Sequence, residues 1–189
     1  MELAMIGLGK MGANMTTRLL RGGHRVVVFD LNEEQIIKAE NGGATAARTL
    51  NEAVEKLSAP RTIWVMVPAG IPTENTIDSL SGLLSPGDTL IDGGNSNYKD
   101  SQRRAAALKE KGLHFVDVGT SGGVWGLAEG YSMMVGGEEK VVEKLNPILK
   151  TLAPGADSGW GRDRLIHEVL DQYSRSGRGI HPPKWGKNG

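Results

Sequence analysis

The sequence predicts an α/β domain with a doubly wound, mostly parallel sheet. Apolar, strand-like runs alternate with amphipathic helical patterns from Leu3 to Leu149, and the first strand runs into a glycine turn of defined spacing. Gly7, Gly9 and Gly12 stand as Gly-x-Gly-x-x-Gly between the apolar run 3–6 and a helical pattern marked by Met11, Met15 and Leu19. In a dinucleotide site the first glycine permits the tight strand-to-helix turn, the second lets backbone approach the pyrophosphate, and the third lets helix pack closely on strand. The helix N-terminus adds unpaired N–H groups and a partial positive charge. On this reading Gly7, Leu8, Gly9, Lys10, Met11 and Gly12 line the phosphate turn of a Rossmann-type fold.

The elements follow in order. Gly22 and Gly23 stop the first helix, and residues 25–30 (RVVVFD) read as a second buried strand ending in an acid. Asp30 lies 18 residues beyond Gly12, near the roughly 20 expected for the carboxylate that binds ribose hydroxyls. Asn32 with Gln35, and Thr49 with Glu52, have the capping-box spacing; they open helices that close near Gly42 and Leu57. Residues 61–67 (RTIWVMV) form a continuous apolar strand broken by Pro68, Ala69 and Gly70. A short helix is expected over 73–80, a strand over 89–92, and a helix over 98–111 closed by Gly112. Strands over 113–118 and 132–135 and a helix over 138–149 complete the sheet near Pro154. Tyr131, Met133 and Met134 read as sheet core, and His24 as a turn residue. No internal repeat is present.

Composition narrows the function. The chain has 189 residues, enough for one full core, and a formal net charge of zero, which argues against a broad nucleic-acid footprint. No run approaches the roughly 18 apolar residues of a membrane helix, and the first residues have no basic leader region. With no cysteine there is no disulfide or thiolate metal site, which fits a cytoplasmic protein. Four scattered histidines lack metal-ligand spacing, so no metal is expected.

Three strand ends narrow it further. Val67, Pro68, Ala69 and Gly70 end one strand at the carboxyl edge, where α/β sheets bind ligands. Asp-Gly-Gly-Asn-Ser at 92–96 ends the next, placing the Asn95 amide and a hydroxyl on that edge. Thr120, Ser121, Gly122 and Gly123 follow the third and offer a hydroxyl and glycine N–H groups to a carboxylate or phosphate. Each alone is ordinary turn chemistry; together, at successive strand ends, they mark a site.

With these residues the chain resembles the N-terminal domain of the decarboxylating 6-phosphogluconate dehydrogenase family. The resemblance runs from Met1 to about Gly161 through GLGKMG (7–12), WVMVPAG (64–70), DGGNSNYKDSQRR (92–104), GTSGGVWGLAEG (119–130) and MVGG (134–137). The Asn-Ser block and the Gly-Thr ahead of Ser-Gly-Gly set it apart from 3-hydroxyisobutyrate dehydrogenase-like enzymes, which usually carry Asp-x-Ser-Thr and Pro-Val-Ser-Gly-Gly there. The resemblance implies NAD(P)-linked oxidation of a sugar-acid phosphate at its 3-hydroxyl, then loss of carbon dioxide to give ribulose 5-phosphate, a pentose phosphate pathway step. It places Val67, Pro68, Ala69 and Asn95 against the cofactor, and Asn95, Ser121, Gly122 and Gly123 on the substrate.

NADP-preferring members resemble Asn-Arg-Thr after the second strand, where an arginine neutralises the 2′-phosphate. This chain has Asp30-Leu31-Asn32. A carboxylate accepts hydrogen bonds from a ribose diol and repels a phosphate, so NAD is the expected cofactor and NADP the alternative. The plainer role for Asp30 is a strand-end cap.

After Gly161 the resemblance fails. The family continues with a Gly-His-x-x-Lys-Met-x-His-Asn-Gly-Ile-Glu-Tyr-like helix carrying a lysine base and a glutamate acid, then a helical domain that completes site and dimer. Here Ser176, Gly177, Gly179, His181, Lys184 and Asn188 form a distorted echo, with Pro182 and Pro183 where the helix would run and no glutamate beyond. Residues 160–189 carry net +3 against net −3 for 1–159. The expected organisation is a dinucleotide-binding domain over 1–156 and a divergent, disordered tail over 157–189, with Leu165, Ile166, Val169 and Leu170 as a docked amphipathic turn. Lys184 is the weak candidate for the catalytic base. The expectation is a protein of this family inactive by itself; the alternatives are a non-catalytic dinucleotide-binding module and another β-hydroxyacid dehydrogenase. Neither membrane nor nucleic acid is an expected partner, and the oligomeric state is left open.

Overall fold

A computed structural model of the chain describes residues 1–123, 125–154 and 165–167. The first half alternates β1 (Glu2–Ile6), α1 (Lys10–Arg21), β2 (Arg25–Phe29), α2 (Glu33–Asn41), β3 (Thr45–Ala46), α3 (Leu50–Glu55) and β4 (Thr62–Val65). The second half continues with α4 (Ile71–Ser81), β5 (Thr89–Asp92), α5 (Tyr98–Glu110), β6 (His114–Ser121) and α6 (Gly126–Glu129). It closes with β7 (Ser132–Gly137), α7 (Glu139–Leu152) and β8 (Leu165–His167). Among the described residues the strands form one sheet in the order β3-β2-β1-β4-β5-β6-β7-β8. All pairings from β3 to β6 are parallel. This is the doubly wound Rossmann arrangement, and the strand order reverses between β1 and β4, where ligands bind in such sheets.

Both sheet faces are covered. On one, Met15 and Leu19 of α1, Ile36 of α2 and Leu145, Ile148 and Leu149 of α7 pack on Leu3, Met5, Val26 and Val28. On the other, Val54 of α3, Ile77 and Leu80 of α4 and Leu108 of α5 pack on Ile6, Val27, Ile63 and Val65. The expected capping residues act as such: the side chain of Asn32 accepts from Glu34 N, and that of Thr49 from Glu52 N. His24 does sit in the turn before β2, buried, with its ring on Thr151 Oγ1 at 2.9 Å.

Three features depart from the sequence expectation, which leaves the direction of β7 open. β6 runs on through Gly119, Thr120 and Ser121, because these residues pair with β7. β7 is antiparallel to β6: ten residues separate them, too few for the dozen or more that a parallel crossover needs. Met134 is not core. Alternation along β7 buries Met133 and leaves Met134 61% exposed. Finally, the sheet does not end near Pro154, and Leu165 and Ile166 are not helical: with His167 they add a strand parallel to β7, on the edge it would otherwise leave open. The rest of the predicted tail, including Lys184, lies outside the described residues.

One acid sits inside an otherwise apolar strand. Asp117 of β6 faces α5 next to the Ser101 hydroxyl, and burial pushes its carboxyl up from the ordinary 3.8 to about 6, helped by the charge of Asp92 and opposed by Ser101 and Arg104. Between pH 3.8 and about 6 the folded chain holds a proton that the unfolded chain has released. Stability therefore falls as pH rises through that window and stays lower above it. Asp117→Asn is expected to remove this slope and to stabilise the protein at pH 7.5 by about 1–3 kcal/mol, because each tenfold change in proton affinity on folding is worth about 1.4 kcal/mol. At pH 3.5 variant and parent should agree. Urea unfolding at the two pH values checks it.

Candidate functional site

The turn after β1 is shaped by two close approaches. Gly7 has φ +98°, and a Cβ there would lie 2.5 Å from the Met66 carbonyl oxygen. At Gly12 a Cβ would lie 2.0 Å from the Gly7 carbonyl oxygen, so α1 rests directly on the turn it leaves. Gly9 differs: a Cβ there would meet no protein atom within 4 Å. Nothing inside the described chain requires glycine at Gly9, and the open space beside it admits a ligand against the backbone. α1 begins with no side-chain cap and no acid in its first turn. Its first N–H groups therefore lack intrahelical partners and face the turn with the positive end of the helix dipole. Gly9 and Lys10 are exposed and Met11 is half-buried, while the Leu8 side chain lies in the core.

Asp30 follows β2. One carboxylate oxygen accepts the Leu8 N–H at 2.5 Å and the other the Asn32 N–H at 2.8 Å. The side chain thus caps the strand end, and it also braces the glycine turn from the neighbouring strand. Each oxygen keeps a lone pair for a further donor. Leu31 is 97% exposed beside it and brings no positive charge.

The strand ends meet in sequence along the carboxyl edge. Gly7 stands against Met66 and Val67, and a Cβ on Gly94 would lie 2.8 Å from the Val67 carbonyl oxygen. Val67 is half-buried, with Pro68 and Ala69 exposed next to it. Asn95, in the left-handed region at φ +57°, reaches across to β6. Its Oδ1 accepts the Thr120 N–H at 2.9 Å and its Nδ2 donates to the Thr120 carbonyl at 3.2 Å. That leaves the exposed Asn95 amide one N–H and one lone pair, enough to donate and accept at a single hydroxyl. Ser121, exposed, is the next residue of β6 after Thr120, so it lies at the same carboxyl edge as Asn95. Gly122 turns the chain away against the buried ring of Tyr131, and Gly123 follows with open space beside it.

Beneath Asn95 lies a buried ionic cluster that strand patterning does not reveal. Asp92 accepts the Gly94 N–H on Oδ1 at 3.0 Å and the Ser96 hydroxyl on Oδ2 at 2.7 Å. Arg104 of α5, 3% exposed, donates from Nη1 to Asp92 at 2.9 Å and to Ser96 Oγ at 3.1 Å, and from Nε to Glu74 of α4 at 2.8 Å. Arg103, then Arg104, hold the Glu74 carboxyl down at about 2. A cavity of about 260 Å³ opens beside this cluster, between Tyr98 and Gln102 of α5 and Met134 of β7, with Asp117 in its wall. Asp92 and Asp117, acids inside apolar strands that pair with each other across β5 and β6, are the signal that sequence offered for this cluster.

Other candidates fall elsewhere. His24 and His114 precede or begin strands at the opposite, amino edge. Lys184 and His181 lie outside the described residues. Among the described residues no group of three His, Asp or Glu side chains has a metal-binding arrangement, and no helix is long and apolar enough to cross a membrane.

Residues 2–161 match the family model described as the NAD binding domain of 6-phosphogluconate dehydrogenase. The chain is 41% identical over 157 residues to the NAD(+)-dependent, decarboxylating 6-phosphogluconate dehydrogenase of Haloferax volcanii, covering 83% of this chain and 52% of that protein. To the Bacillus subtilis enzyme of the same description it is 41% identical over 156 residues, covering 80% of this chain and 33% of the relative. The chain thus spans between a third and about half of these relatives. Among solved structures, Plasmodium falciparum 6-phosphogluconate dehydrogenase superposes with TM-score 0.76 at 27% identity, over 84% of this chain and 35% of that one. Mycobacterium tuberculosis 3-hydroxyisobutyrate dehydrogenase does so with TM-score 0.74 at 29% identity, over 80% and 52%. A sheet reversing beside a glycine turn fits many dinucleotide enzymes, but a family match over residues 2–161 does not: this chain belongs to the 6-phosphogluconate dehydrogenase family, through that family's NAD-binding domain.

Proposed function

We propose that the chain binds NAD along the edge from Gly7 to Asn95 and presents Asn95, Ser121, Gly122 and Gly123 to 6-phosphogluconate. The observation that supports this most directly is the unbroken run of contacts Gly7–Met66–Val67–Gly94–Asn95–Thr120, which brings the turn and three further strand ends to one crevice. When bound, NAD supplies an acceptor for the hydride leaving carbon 3 of the substrate. The uncapped α1 N-terminus takes the pyrophosphate, with Lys10 and Met11 N–H groups as donors, and Gly9 gives it room. Asp30 accepts from the ribose hydroxyls, and its charge disfavours a 2′-phosphate. Val67, Pro68 and Ala69 form the wall next to the nicotinamide.

On the substrate side, Asn95 holds a hydroxyl with its remaining donor and acceptor. Ser121 and the Gly122 and Gly123 amides hold the carboxylate. Oxidation removes the proton of the 3-hydroxyl to a base and leaves a 3-keto acid. The carbon 1–carbon 2 bond then breaks, its electron pair flows into the ketone, carbon dioxide leaves, and the resulting enol takes a proton to give ribulose 5-phosphate. Both proton transfers need a group within hydrogen-bond reach. Among the described residues Asp92 is engaged by Arg104 and Ser96, and His24 and His114 lie at the far edge. A second reading, a dinucleotide-binding module without turnover, draws on this same observation.

Titration calorimetry is expected to give tighter binding of NAD than of NADP, with Asp30→Ala erasing most of the difference. Tighter NADP binding would reject the cofactor assignment. Asn95→Ala should weaken 6-phosphogluconate binding about tenfold, the worth of one or two hydrogen bonds, and lower NAD affinity by less. Turnover by the purified 189-residue chain, followed as NADH formation, should fall short of a competent enzyme by at least the roughly 10²–10⁴ that general acid–base catalysis provides. Robust turnover lost in Lys184→Ala would place the base at Lys184 and reject the binding-module reading.

A further inference from the structure

We propose that Asp92 and Arg104 are positioning residues that set the Asn95 amide for substrate, acting through Gly94 and Ser96. Asn95 occupies a left-handed conformation, which Asn tolerates better than other side chains but which its neighbours here hold in place. The constraint is visible on either side of it. The two oxygens of Asp92 grip the residue before, by the Gly94 N–H at 3.0 Å, and the residue after, by the Ser96 hydroxyl at 2.7 Å. With both neighbours pinned to one carboxylate, the backbone at Asn95 bulges outward and its amide is carried across to Thr120.

Arg104 keeps that carboxylate charged and aimed. Asp92 is fully buried and Arg104 nearly so, and a buried anion without its cation would protonate or turn away. Arg104 Nη1 donates to both Asp92 and Ser96, so the hydroxyl that donates to Asp92 accepts from the same guanidinium. Nε is held by Glu74 one turn into α4, and Thr73 beside it donates to the Pro68 carbonyl at 2.9 Å. A network in which each charged group is paired in this way favours one low-energy arrangement, which is what a substrate-orienting amide requires. Neither Asp92 nor Arg104 touches the crevice; both act through Asn95. The proposal rests on the reading that Asn95 contacts 6-phosphogluconate.

The test uses the full chain labelled with ¹⁵N. The Thr120 amide proton, which Asn95 Oδ1 accepts, is a local reporter that needs no ligand. In Ser96→Ala, Thr120 amide exchange should accelerate at least tenfold and the Asn95 side-chain resonances should move, while the Val116 and Val118 amides in the middle of β6 keep their protection. Arg104→Met should do the same more strongly; if it fails to fold, Ser96→Ala, which removes one oxygen and strands no charge, decides alone. Calorimetry on Ser96→Ala should show 6-phosphogluconate binding weakened about as much as in Asn95→Ala, with NADH affinity within twofold of the parent. Unchanged Thr120 exchange in Ser96→Ala overturns the proposal, as does faster exchange with undiminished 6-phosphogluconate affinity. If Asn95→Ala itself leaves 6-phosphogluconate binding intact, the substrate reading fails, and the role of the cluster in holding Asn95 is still judged by Thr120.

Discussion

The arrangement of the carboxyl edge depends on how closely α1 can lie against the end of β1. With no side chain at Gly12 the helix sits on the Gly7 carbonyl, and with none at Gly7 the turn presses on Met66 at the end of β4. A methyl group at either place would need space that backbone atoms occupy, so α1 would lift and the two strand ends would part. The other end of the helix is fixed as firmly. Arg18 donates to the carbonyl oxygens of Thr151 and Ala153 at 2.9 Å and to those of Leu127 and Ala128 at 3.2 and 3.3 Å. One helix therefore ties the first strand to the last helix and to the segment leaving Gly123. Its amphipathic face does the rest, with Met15 and Leu19 fully buried.

The parallel half of this fold was legible because it is written in short-range patterns. Continuous apolar runs such as residues 61–67, glycine turns and capping residues such as Asn32 and Thr49 each specify their own element. The two-residue β3 is too short to carry a pattern and exists because β2 offers it an edge. The antiparallel turn of β7 was decided by loop length, and the alternation Met133-in, Met134-out only acquires meaning once β7 has a face without a helix. β8 depends on an edge that no local signal announces.

The site divides in the same way. Gly7, Gly9, Gly12 and Asp30 are separated by fixed spacings within one βαβ unit, so their convergence can be read from the chain. Asn95 and Ser121 could be placed on one edge, but not the hydrogen bonds that join Asn95 to Thr120, because strand order sets them. The Asp92–Arg104–Glu74 cluster draws one residue each from β5, α5 and α4, and long-range pairing of charges leaves no periodic trace. A fully buried aspartate ending an apolar strand was the hint, and its partner was visible only in three dimensions.

If Asp30 accepts from a ribose as proposed, it carries two duties on one carboxylate, and this constrains any attempt to recode the cofactor. Exchanging it for a neutral residue to welcome a phosphate would also release the Leu8 N–H, and with it the strut between the second strand and the glycine turn. On that reading selectivity and stiffness share one carboxylate. A designer would have to alter them together, supplying a new acceptor for Leu8 before adding a cation at the fully solvated Leu31. On that reading evolution faces the same coupling: a single-step drift between the two dinucleotides passes through a looser turn, which raises a barrier to change at this half-buried residue.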